Sequence, residues 1–351
     1  MTALTTLLEA EAGRFTLQEP PDPAAPTGVV ELEVLREGKP LGVGIYVKHM
    51  VTGEEAAVRP DVAFETQSVI KLALAVRAYQ LADDGRLDLD ERVRLTRSDV
   101  VGGSGVLRYL QPGLEPTVRD LITTMIVVSD NTATDLLLAL VGGVAELNAW
   151  LVASGYADTR FAQSVLDAAR LPYVLADPRH AALTGEQVFA LGAGDPAWAG
   201  VTPGWLAETK GQVAALGDRP LGEVRELARE RGVPLRFGQM TPREAGRMLE
   251  SVQLGTAASA ANCAELLAAL DEQQLGERRL PGLVEHPVGH KTGDYPPFDA
   301  NDIGIVRADS GPIVIAVFAN DLGGDYQQEE DRIGRIARVV VEHFDGGAGR
   351  A

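Results

Sequence analysis

The stretch Ser68-Val69-Ile70-Lys71-Leu72-Ala73-Leu74-Ala75-Val76-Arg77-Ala78-Tyr79-Gln80-Leu81-Ala82-Asp83 decides how this chain is read. Its apolar positions at Ile70, Leu72, Leu74, Ala75, Ala78, Leu81 and Ala82 follow a helical period, and Gly85 supplies a stop. Ser68 and Lys71 stand three apart. At a helix start that spacing puts both on one face, one turn apart. A serine hydroxyl is a poor nucleophile until a neighbour takes its proton. A lysine can take it only where burial and a second cation lower its pKa. Ser68 at a helix N-terminus would also aim a free backbone N–H at developing negative charge.

Residues 4–12 read as a short helix. Val29 to Arg36 and Gly42 to His49 alternate apolar and polar residues and read as two strands, with turns at Leu41-Gly42 and Thr52-Gly53. Thr117 with Asp120 forms a capping box ahead of Leu121 to Val128, and Thr132 with Asp135 repeats the device ahead of Leu136 to Val141. Ser129-Asp130-Asn131 therefore falls on a break between two helices, where polar side chains can enter a cleft. Further helices are expected near 144–153 and 220–231, from Thr241-Pro242-Arg243-Glu244, and over Ala264 to Gln273. Strands return at Val288 to Thr292, Asp302 to Arg307 and Ile313 to Ala319. An amphipathic helix, Gln327 to Phe344, follows.

Strands at both ends and helices between them imply an α/β fold of α+β type. The terminal strands join in one antiparallel sheet with flanking helices, and an all-α lobe is inserted. The expected organisation is one catalytic domain over 1–345. Its α/β lobe comes from 1–60 and 285–345, its helical lobe from 61–284, and 346–351 form a flexible tail.

The 351 residues are 45% hydrophobic, enough for one large domain or two intimate lobes. The formal charge of −18 argues against nucleic acid or an anionic membrane as partner. Cys263 is the single cysteine, so no intramolecular disulfide or thiolate zinc cluster can form. The five histidines lack ligand spacing, and no metal or cofactor is expected. The first twelve residues carry no Lys or Arg and are interrupted by Glu9, so no secretory leader is expected and the sequence as written reads as cytoplasmic. No apolar run approaches the roughly 18 residues of a membrane span.

Two more motifs follow Ser68-x-x-Lys71 in order: Ser129-Asp130-Asn131 and Lys291-Thr292-Gly293. S-x-x-K occurs about once by chance in a chain this long, whereas each exact three-residue motif is expected only about 0.04 times. As parts, a helix cap, a turn and a strand end would explain them singly. Their joint presence in this order resembles the class A β-lactamase-like serine hydrolases, within the β-lactamase and penicillin-binding-protein superfamily. Phe64 to Ser68, Leu110 to Leu114 leading into Thr117 to Leu121, Gly142-Gly143, Gly155 to Arg160 and Lys291 to Asp321 add to the likeness. It covers about 40–170 and 240–345.

The resemblance implies roles. Ser68 would be acylated, with Lys71 as base. Ser129 would pass a proton to the leaving nitrogen, near Lys291. Asn131 would hold a substrate amide oxygen. Lys291, Thr292 and Gly293 would receive the substrate carboxylate, and the N–H groups of Ser68 and Asp294 would form the oxyanion hole.

Three departures stand out. Val165 falls where the family's deacylating Glu belongs, leaving Asp167 as the nearest carboxylate. An insertion of about 60–70 residues, near 172–238, carries His180, Glu186, Trp198, Trp205 and Glu208. Gly102-Gly103 replaces the usual aromatic wall, and no Arg follows Lys291 closely. The expected protein is an active-site-serine hydrolase acting on a small-molecule β-lactam or a related amide or ester. A D-Ala-type peptidase or esterase, or a covalent acyl-binding sensor with slow turnover, are the alternatives.

Overall fold

The structure is a computed structural model that describes residues 2–37, 42–192 and 199–348. Five strands form its main antiparallel sheet: β1 (Gly42–His49), β2 (Glu55–Val58), β6 (Val288–Tyr295), β7 (Asp299–Ala308) and β8 (Gly311–Asn320), in the order β2-β1-β8-β7-β6. Three short strands, β3 (Phe64–Glu65), β4 (Arg160–Phe161) and β5 (Gly238–Met240), make a second sheet in the order β3-β5-β4.

The helices are α1 (Ala3–Ala12), α2 (Leu32–Leu35), α3 (Lys71–Asp83), α4 (Val118–Val127), α5 (Asn131–Leu140), α6 (Gly143–Ala153) and α7 (Val165–Ala176). They continue as α8 (Gly185–Gly192), α9 (Pro203–Gly217), α10 (Leu221–Glu230), α11 (Pro242–Gln253), α12 (Ala260–Asp271) and α13 (Tyr326–Ala348). None is both long and apolar enough to cross a membrane alone.

Both faces of the main sheet are covered, which explains the near-continuous apolar run of β8. Ile313, Ile315, Val317 and Ala319 pack on one face with Leu4, Leu8, Ile333, Ile336 and Val340, that is, against α1 and α13. Val314, Ala316 and Phe318 face the other way, into the large core shared with α3, α4, α5 and α11. The period of two along one strand thus serves two cores. The expected fold class is observed, with sheet strands from both ends of the chain and helices inserted between.

Several local expectations are corrected. Val29 to Arg36 is not a strand; its centre is the single-turn helix α2. The Arg225 guanidinium donates to the carbonyls of Val34 (3.3 Å), Leu35 (3.0 Å) and Arg36 (2.8 Å), satisfying groups that a strand would offer to a neighbour. Residues 67–70 form a 3-10 turn before α3 begins at Lys71. Thr132 and Asp135 do not cap α5. Asp130 does, accepting from Ala133 N–H at 2.9 Å, while the Thr132 hydroxyl accepts from Val101 N–H at 3.0 Å. The Asp135 carboxylate instead accepts the N–H groups of Val165 and Leu166, each at 2.8 Å. The Thr117–Asp120 box is present as expected. Helix α13 runs to Ala348, into the stretch expected as a tail. Leu41 and Trp198 lie outside the described residues.

Helix α11 crosses the sheet at Gly246. A Cβ there would stand 2.2 Å from a ring carbon of Tyr46, itself 1% exposed and unable to swing into solvent. Gly246→Ala therefore sets a helix-propensity gain of about 1 kcal/mol against an overpacking cost of about 1–3 kcal/mol. The expected outcome is net destabilisation, read as a lower urea midpoint at unchanged slope.

Candidate active site

Three elements converge on one cleft. The turn before α3 presents Ser68, half-buried, after Gln67, whose φ of 46° is left-handed. The break between α4 and α5 presents Ser129, also left-handed at φ 55°. Asp130 fixes that break: it caps α5 and also accepts the N–H groups of Val106 (2.7 Å) and Leu107 (2.8 Å). Strand β6 brings Lys291, Thr292 and Gly293. A Cβ on Gly293 would lie 2.3 Å from the Thr66 carbonyl oxygen and 3.0 Å from the Val69 nitrogen. Glycine is what lets β6 lie against the turn that holds Ser68.

Lys71 and Lys291 are fully buried. Lys71 Nζ donates to the Ser129 carbonyl (2.8 Å), Asn131 Oδ1 (2.8 Å) and Ser129 Oγ (3.1 Å). Lys291 Nζ reaches the same Ser129 Oγ at 3.2 Å and the Thr292 carbonyl at 2.9 Å. One hydroxyl therefore bridges two amines. Burial first, and then the charge of Lys291, push Lys71 well below the ordinary lysine range. Burial pushes Lys291 down to about 8, although Asp294 and Asp302 oppose it. Thr292 Oγ1 is buried without a protein partner. Asn131 Nδ2 donates to the Gly102 carbonyl at 2.8 Å.

Ser68, Asn131, Gly102, Gly103 and Asp294 line a cavity of about 520 Å³. The segment expected as an insertion contributes one of its walls. Pro172 and Tyr173 of α7 and Val188 and Phe189 of α8 all line it, and the Phe189 ring lies against Gly102. An aromatic side chain thus stands beside the Gly102-Gly103 stretch after all, supplied from elsewhere in the chain. Trp205 is not among the cavity-lining residues; it stands edge-on to His180 and packs on the cluster of Leu183, Val188 and Leu191 behind that wall. His180 Nδ1 is engaged by the Tyr173 carbonyl, and Glu208 is exposed. Glu186, in the first turn of α8, is not among the cavity-lining residues.

Asp167 does not face the cleft. It is exposed, bonded to the Ser164 hydroxyl at 2.8 Å and paired with Arg170 at 2.8 Å. Val165, at the start of α7, does line the cavity. The carboxylate near Lys71 on this side is Asp135, raised to about 6 chiefly by burial. Its acceptor role towards two backbone N–H groups was masked in the sequence by an apparent capping box.

Two features had no sequence signal. Arg279, twelve residues before Lys291, is buried and bonds Asp294, the Asn301 carbonyl (2.8 Å) and Glu330 (3.0 Å). Its donors are already committed. Behind Ser68, Gln67 Nε2 donates to Glu33 Oε1 (3.0 Å) and Asp299 Oδ2 (2.9 Å), and Arg36 pairs with Asp299 (3.0 Å) and Asp321.

A family profile described as "Beta-lactamase enzyme family" matches residues 31–344. Beta-lactamase L2 of Stenotrophomonas maltophilia is 32% identical over 154 residues, 44% of this chain and 50% of that protein. Extended-spectrum beta-lactamase PER-1 of Pseudomonas aeruginosa is 32% identical over 132 residues, 37% and 43% of the two chains. The chain thus spans half or less of the length of these curated relatives. Among solved structures, a beta-lactamase from Sphaerobacter thermophilus superposes with a TM-score of 0.63 at 26% identity, over 87% of this chain and 91% of that one. An ancestral class A beta-lactamase gives 0.67 at 24% identity over 97% and 100%, a likeness of fold.

The buried lysine has a thermodynamic consequence. Folding lowers the Lys291 pKa from 10.5 to about 8, so between these values the unfolded chain binds more protons. The penalty for burying its charge is full below pH 8 and is released as pH rises to about 10.5. Compared with Lys291→Met, the protein should gain stability across that window, seen as a difference in urea midpoints that narrows or reverses from pH 7.5 to about 10.5.

Proposed function

Because the chain belongs to the beta-lactamase enzyme family, we propose that it is an active-site-serine hydrolase that opens β-lactams, or related amides and esters, through an acyl-enzyme. The observation that carries this reading is the Ser129 hydroxyl held between two buried amines, at 3.1 and 3.2 Å, beside the cleft-facing Ser68. In the proposed sequence Lys71, as the neutral amine, takes the Ser68 proton while Ser68 Oγ attacks the carbonyl carbon. The tetrahedral oxyanion meets the N–H groups of Ser68 and Asp294. When the intermediate collapses, the carbon–nitrogen bond breaks, and the nitrogen takes a proton from Ser129, which is resupplied by Lys71. Water then hydrolyses the acyl-Ser68 ester.

Lys291 and the unpartnered Thr292 hydroxyl suit a substrate carboxylate, and Gly293 keeps their strand close. Asn131 Nδ2 has a second hydrogen for a substrate amide oxygen. Deacylation is the weaker half. Val165 cannot orient water, Asp167 points to solvent, and Asp135 is engaged by two N–H groups. This favours, as the second reading, a long-lived acyl-enzyme that turns over slowly.

Peptide mapping after treatment with a penicillin or a serine-reactive phosphonate should place the adduct on Ser68, and Ser68→Ala should abolish it. Labelling at another residue defeats the reading. Lys71→Ala should slow acylation by all acyl donors by about 100- to 1000-fold, the usual loss for one transition-state contact. Lys291→Ala should harm carboxylate-bearing β-lactams more than neutral esters.

Hydrolysis of a chromogenic β-lactam should show a burst of one equivalent and then a slow steady rate, with the acyl-enzyme visible by intact mass. A fast linear time course without a burst would show that another group activates water.

A further inference from the structure

The cleft carries amines at one end and carboxyl groups at the other. Lys71 and Lys291 converge at one. Strand β6 then carries the wall four residues on to Tyr295, roughly 13 Å at the rise of a strand. There the chain around α2 contributes two carboxylates to the same cavity that Ser68 lines, Glu31 and Glu33. Glu31 is half-buried and accepts the Tyr295 hydroxyl at 2.8 Å. Glu33 is 8% exposed; one of its oxygens accepts from Gln67 and the other has no partner.

Among the described residues, no cation pairs with Glu31 or Glu33. Arg36 is committed to Asp299 and Asp321, and Arg236 to Glu65. Arg108, also on the cavity lining, donates to the Tyr109 hydroxyl and lies over its ring. Burial first, and then the fully buried Asp299 behind it, push Glu33 up to about 8, so at pH 7 it is largely the neutral acid until a cation reaches it. A buried carboxyl group that lacks a cationic partner of its own gains most, by ionising, from a cation that enters from the cavity.

We propose that Glu31 and Glu33 are specificity-determining residues that receive an ammonium group on the acyl side of the substrate, so that the cleft selects acyl donors with a carboxylate at one end and a primary amine at the other. This rests on the acyl-enzyme reading for the position of the reacting bond, but not for the recognition itself.

The test uses the Ser68→Ala protein, which cannot be acylated. It is titrated at pH 7, by calorimetry or NMR, with a penicillin whose acyl chain ends in a primary amine and with the analogue ending in a methyl group. The amine-bearing compound should bind about tenfold more tightly, as one charge-assisted hydrogen bond provides. The preference should fall towards unity in Glu31→Gln and in Glu33→Gln on the same background. Equal affinities for the two penicillins, or a preference that survives both substitutions, overturns the proposal. Glu31, half-buried and away from the Gln67 network, keeps the test decisive where Glu33→Gln does not fold. If the preference is found but neither penicillin leaves an adduct on Ser68 of the unmodified protein, the acyl-enzyme reading fails and ammonium recognition stands.

Discussion

Two buried lysine amines share one serine hydroxyl, and most of the local structure exists to hold that arrangement. Ammonium groups leave water at a cost of several kcal/mol each, so each must be matched by acceptors or shed its proton. Lys71 has two oxygens at 2.8 Å, and Lys291 has the Thr292 carbonyl at 2.9 Å. Both remain easier to deprotonate than an ordinary lysine. Ser129 sits between them only because its backbone is left-handed and because Asp130, directly after it, is tied to two loop N–H groups. Strained backbone persists where the surroundings over-determine it.

The turn before Ser68 is held in the same manner from the other side. The Glu65 carboxylate accepts the N–H groups of Phe237 and Gly238, and its carbonyl accepts from Asn301 and Asn320. Gln67 bridges Glu33 and Asp299. The short sheet β3-β5-β4, the central strands and the chain around α2 therefore all meet at the residues just before the proposed nucleophile. Its position is set by buried polar contacts from four regions of the chain, and such fully engaged networks are rigid.

The segment expected as an insertion lines the cleft. Helices α7 and α8 fill one wall with apolar side chains, while the α2 region and Tyr295 make an acidic one. Substrate selection on this reading is divided between two segments that lie outside the motifs: chemistry belongs to the motif residues, and preference to the walls.

The sequence alone determined the elements whose pattern is local. The buried helix after Ser68, the alternating strands of the sheet, the capping box at Thr117 and the helix break at Ser129 follow from periodicity and cap chemistry. So did the three motifs and their order. Tertiary structure decided whatever depends on a partner distant in the chain. Val29 to Arg36 alternates like a strand, yet its carbonyls find Arg225 and its Arg36 finds Asp299, so it folds as a turn of helix at the cleft. Asp135 matches a capping box, yet the Val165 and Leu166 amides, 30 residues away, claim it. Asp167 was the carboxylate nearest in sequence to the position of a deacylating base and is drawn to Arg170 instead. Local sequence fixes which backbone conformations are cheap. Which of several possible partners a polar group takes is settled only when packing brings them together and removes the water between them.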